Sequence, residues 1–153
     1  MSAPTSSEVP VLVCRARSLL CALSLQHVAE TTRPLPIEPV IGMPSFVYGL
    51  SVIRGKPVPV LDLGSLVGSR EKAHPSRFVV LRTGDRQVAA AVEQVVGIRT
   101  LSSGSLDALP PLLSKASAAS VSTIGTLDTA LILVLNTAKL APELASKVME
   151  VGK

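Results

Sequence analysis

The chain has 153 residues, with 15 Lys+Arg against 11 Asp+Glu and a formal charge of +4. That length suits one domain or two small lobes sharing a core, and the scattered basic residues form no run that would argue for nucleic acid. Three aromatic residues, Phe46, Tyr48 and Phe78, are too few for base-stacking platforms, so the core must be aliphatic.

Met1–Pro10 is polar and reads as a disordered leader, leaving 11–153 as the folded part. The apolar runs that follow are short, well below the ~20 residues of a membrane span. Leu20 is bulky where a lipoprotein signal needs a small residue before Cys21, and two cysteines do not make a disulfide framework. A reducing cytoplasm is the simplest compartment.

Nine runs read as strands: Val11–Ala16, Leu19–Leu25, Val47–Ile53, Val58–Leu63, Phe78–Arg82, Val88–Val92, Val95–Thr100, Ser120–Leu127 and Ala130–Leu135. Their close spacing is the pattern of barrels or sandwiches. Two helical pieces are expected, a short turn over Gln26–Thr31 and a terminal helix over Pro142–Met149.

A two-residue turn at Arg17-Ser18 would set 16 opposite 19, 14 opposite 21 and 12 opposite 23. One face then holds Leu12, Cys14, Ala16, Leu19, Cys21 and Leu23, all apolar, so the register is self-consistent. Arg15 and Arg17 would lie on the other face. The second hairpin turns at Arg54-Gly55, where Gly55 supplies a positive φ. Pro57 and Pro59 remove donors from one lateral side of the next strand, which must be an edge or a bulge there. Asp62 is placed to cap a helical turn through Leu66. Phe78–Leu81 turns through Gly84-Asp85 into Gln87–Val92, so the two halves share a layout. Two small packed barrels are the expected architecture.

The stretch Tyr48-Gly49-Leu50-Ser51-Val52-Ile53-Arg54-Gly55-Lys56-Pro57-Val58-Pro59-Val60-Leu61-Asp62-Leu63 resembles the signature of the CheW family of chemotaxis coupling proteins. Val28-Ala29-Glu30 is similar to the family's short helix after the first hairpin. Leu35-Pro36 precedes the signature as in family members. Ala91–Ile98 is similar to the strand pair in which members carry Val-Asp-x-Val, and Ile124–Leu127 with Leu131–Asn136 to the closing hairpin. Departures are the small thiols Cys14 and Cys21 where aromatics are usual, Glu93 and Asn136 where Asp is usual, and Ser51-Val52 where Asn is common. They raise the alternative of a paralogue serving a non-flagellar system such as surface motility.

The resemblance implies an all-β CheW-like fold of two SH3-like five-stranded barrel lobes, with no catalysis and no cofactor. It implies two partners, the cytoplasmic tip of a chemoreceptor coiled coil and the regulatory domain of a CheA-type histidine kinase, with no direct membrane insertion. Candidate partner-binding residues are Val28, Glu30, Gly49, Arg54, Gly55, Phe78 and Ile98. Each also has a plainer reading. Arg54 and Glu30 could be solvated, Val28 could anchor its turn, and Gly49 and Gly55 could be backbone necessities. Phe78-Val79-Val80-Leu81 is apolar on both faces, so the second lobe or a partner must cover one of them. Ile98 carries the same ambiguity. His27 and His74 lack ligand company, so no metal site is expected. No Ser-His-Asp or Cys-His arrangement points to an enzyme. The reading from a different class is a small basic barrel that binds nucleic acid.

Overall fold

The computed structural model describes residues 8–102, 106–108, 121–127 and 130–135. In chain order they form β1 (Glu8–Ala16), β2 (Leu19–Ser24), a 3-10 turn (Leu25–His27), β3 (Val28–Thr32), β4 (Val47–Ile53) and β5 (Lys56–Asp62). The helical turn α1 (Leu63–Leu66), β6 (Arg77–Thr83), β7 (Arg86–Val92), β8 (Gln94–Ser102), β9 (Leu106–Ala108), β10 (Val121–Leu127) and β11 (Ala130–Leu135) follow. All nine expected strands are present within a few residues at their ends. The expected terminal helix at Pro142–Met149 lies outside the described residues.

The strands build two sheets, β8-β1-β2-β11-β10-β9 in a first lobe and β3-β6-β7-β5-β4 in a second. Both repeat one scheme: an outer strand, an antiparallel hairpin, a parallel step and a second hairpin. The parallel step is β2 with β11 in the first lobe and β5 with β7 in the second. This is the shared layout that the sequence suggests, with β9 as an extra strand on the first lobe.

Two expectations are corrected. Glu8, Val9 and Pro10 belong to β1 and pair with β8, because Val9 and Pro10 find partners in Leu101 and Thr100. The helix after the first hairpin is only the turn Leu25–His27. Val28–Thr32 is instead a strand along β6, as its alternating burial and β-branched Val28, Thr31 and Thr32 favour.

The first hairpin has the expected register: Leu12 opposes Leu23, Cys14 opposes Cys21 and Ala16 opposes Leu19. Leu12, Cys14, Ala16, Cys21 and Leu23 join Leu61, Leu63, Val79, Leu81, Val88 and Ala90 in one buried cluster between the lobes, with the half-buried Leu19 packed against it. Alternate residues face each lobe's own interior. Val11 and Val13 join Ala22, Leu101 and Ile132 in the first lobe. Phe78 and Val80 join Ile53, Val58, Val60, Ala89 and Ala91 in the second. The doubly apolar β6 is therefore covered by its own lobe on one face and by the other lobe on the second.

β5 lies between β4 and β7, but along its two prolines one lateral side is an edge, as expected. Its pairing with β7 starts only at Val60, past both prolines, so their missing N–H groups are not needed there. Asp62 caps α1 as expected, with its carboxylate accepting from the Ser65 N–H.

Candidate partner-binding site

The β4–β5 hairpin turns on two residues with positive φ, Arg54 at 53° and Gly55 at 79°. Positive φ at both central positions is the type I′ arrangement, which matches the twist of the flanking strands. A Cβ on Gly55 would meet nothing within 4 Å, so glycine is there for the backbone angle. Arginine in the first position carries a backbone cost that a glycine or asparagine would avoid.

The Arg54 guanidinium reaches β3 and closes on Glu30 in a forked contact. Nε donates to Oε2 at 2.6 Å and Nη2 to Oε1 at 3.0 Å. The Arg54 side chain is still 79% exposed and that of Glu30 27%. The hydrogen bond from Arg54, with its positive charge, holds the Glu30 carboxyl below its ordinary pKa, and Glu30 raises that of Arg54 in return. Glu30 is brought to this position by β3, which is bulged against β6 between Val28 and Glu30.

The pair borders an open groove of about 630 Å³, whose lining includes Gln26, Val28, Glu30, Ile53, Arg54 and Arg82. The groove thus joins the half-buried Val28 and the buried Ile53 with the charged side chains of Glu30, Arg54 and Arg82. Such a surface suits a protein segment carrying apolar and charged side chains together.

Of the candidate residues, Val28, Glu30 and Arg54 converge here, beside Gly55. Gly49 and Phe78 are elsewhere and are structural. Gly49 is buried at φ 145°, and a Cβ there would fall inside the Glu38 carbonyl, because Glu38 and Leu50 exchange backbone hydrogen bonds beside it. Phe78 is 1% exposed in the interior of the second lobe, out of reach of any partner. Ile98 lies on β8 of the first lobe, opposite Leu12, and is 59% exposed. It belongs to a separate surface from the Arg54 turn.

Sequence reasoning missed one polar centre. Arg17, placed by strand alternation on the outer face, instead sends a side chain only 5% exposed against Asp62 at the end of β5 and Glu93 in the link between β7 and β8. Alternation does not govern a turn residue with φ 58°, and nothing in the local sequence marks its distant carboxylates. No group of three or more His, Cys, Asp or Glu side chains with metal-binding geometry occurs among the described residues.

The CheW-like domain family matches residues 10–145 of the chain. A relative, the chemotaxis protein CheW of Thermotoga maritima, is 27% identical over 101 residues, which cover 65% of this chain and 67% of the relative. Among solved structures, the scaffolding protein TtCheW from Thermoanaerobacter tengcongensis superposes with a TM-score of 0.74 at 23% identity, covering 85% of this chain and 90% of that one. The structural likeness speaks for the fold alone.

Proposed function

This chain belongs to the CheW-like domain family, and from that premise we propose that it is a non-catalytic scaffold joining chemoreceptors to a CheA-type histidine kinase. The observation that carries this reading is the extent of the family match. Residues 10–145 take in both lobes, so the whole two-lobed body with its surfaces is the matched unit. A scaffold needs two faces held at a constant relation, and two sheets around one shared core supply them. In this reading the groove beside Arg54 and Glu30 takes one partner and the first-lobe surface carrying Ile98 takes part in another contact. The protein works in the cytoplasm and reaches the membrane through receptors. No helix among the described residues is long and apolar enough to cross a membrane.

A capture from the native cell, with the chain as bait, tests the proposal. A CheA-type kinase and a methyl-accepting receptor are expected together in the captured set. Recovery of nucleic acid in a salt-sensitive complex, with neither of these proteins, would move the function to the other class of small basic barrels.

A further inference from the structure

The two lobes share an apolar cluster, and apolar burial has no direction of its own. A contact of this kind holds two sheets together without choosing one rotation between them. The β1–β2 hairpin belongs to the first lobe, yet it is tied to the second at both ends. At its base, β2 runs through the 3-10 turn directly into β3 of the second sheet. At its tip sits Arg17.

Arg17 is held from several sides by atoms beyond its own hairpin. Nη2 donates to Asp62 Oδ2 at 2.6 Å and Nη1 to Glu93 Oε2 at 3.1 Å. Nε donates to the Glu71 carbonyl at 2.9 Å, and the Arg17 backbone N–H donates to Glu93 Oε1 at 2.7 Å. Ser18, its neighbour in the turn, donates its hydroxyl to the Glu71 carboxylate at 2.6 Å. Glu93 links the lobes: its carboxylate accepts from the His74 N–H at 2.8 Å, and its own N–H donates to the Arg15 carbonyl of β1 at 2.9 Å, so the hold on the second lobe itself comes from Asp62, Glu71 and Gly64. Gly64 of α1 forms the floor: a Cβ there would stand 2.6 Å from Nη1 and 2.8 Å from Cγ and Cζ of Arg17. Removing one member of such a buried set leaves charges without partners, which makes the arrangement strict as well as directional.

We propose that Arg17 is an orienting latch: clamped between Asp62 and Glu93 and seated on Gly64, it gives the first hairpin a second fixed point on the other lobe and so sets the angle between the lobes. The hairpin is a stiff connector of six residue pairs, from Ala16 with Leu19 to Val11 with Ser24. Its far end carries Gln26 and Val28 to the groove. The latch therefore also sets how the groove stands relative to the first lobe. This inference concerns the protein alone and does not depend on which partners it binds.

The test measures the distance between the lobes. Spin labels are placed through Lys56→Cys on the second lobe and Arg99→Cys on the first, both exposed positions. The full chain is compared with Arg17→Met, which removes the cation, and with Gly64→Ala, which displaces the guanidinium while leaving every charge in place. Hydrogen exchange of β6–β7 and β1–β2 reports whether each lobe remains folded. The parent is expected to give one narrow distance distribution. Both variants are expected to give a broadened or displaced one while their lobes stay protected. Parental distributions in both variants would overturn the latch. So would loss of protection throughout both, which would make Arg17 a general stabiliser with no orienting part.

Discussion

Arg54 meets Glu30 through two parallel hydrogen bonds across the mouth of the groove, 24 residues apart in sequence. The pair is exposed to solvent, where an ion pair contributes little to folding. Its forked geometry nevertheless aims the guanidinium, and a docking carboxylate could take over either hydrogen bond. Arg54→Ala is therefore expected to leave the melting temperature within about 2 °C of the parent, as for a surface substitution. It should weaken binding of at least one partner roughly tenfold, the scale of one charge-assisted contact. Calorimetric titration checks the second part, and unchanged affinity for both partners would take Arg54 out of the site.

Phe78 and Ile98 are both large apolar residues on strands, and their burial separates them. Phe78→Ala should cost about 3–5 kcal/mol of stability, because it empties the interior of the second lobe. Ile98→Ala should leave stability nearly unchanged, since Ile98 is already 59% exposed. Any effect of Ile98→Ala would show as weaker binding. Denaturant unfolding of the two variants checks the contrast.

Cys14 and Cys21 are fully buried, and burial pushes both thiols up to about 12 from an ordinary 9.0. A thiol whose folded pKa lies above its unfolded one favours the fold at low pH. That contribution is whole below about 9 and is lost as pH rises toward 12. The folded protein should label slowly with thiol reagents at neutral pH, and the unfolded protein should show two fast thiols. Rapid labelling of both in the folded state would contradict the hairpin register, which buries them face to face.

Much of this fold is legible in the sequence because it is written in short-range patterns. The apolar face of Leu12, Cys14, Ala16, Leu19, Cys21 and Leu23 sets the first hairpin's register, and Arg54-Gly55 sets the second turn. The doubly apolar Phe78–Leu81 correctly signals a strand covered on both sides. What escapes is decided at long range. Val28–Thr32 has local β-propensity in Val28, Thr31 and Thr32, but it becomes a strand because β6, about 50 residues on, offers it an edge. The carboxylates that receive Arg17 are 45 and 76 residues away. At the candidate site the family signature singles out Arg54 and Gly55 but does not reveal that Glu30 is Arg54's partner, nor that Phe78 points inward.

In the proposed role, one two-lobed body binds two partners at once. This is tested most directly by titrating the chain into the regulatory domain of a CheA-type kinase from the same cell, alone and in the presence of the receptor's cytoplasmic tip, and weighing the complexes by light scattering. Two binary complexes are expected, and a ternary one whose mass is the sum of all three. Binding of neither partner, or strict competition between them for the chain, would contradict it.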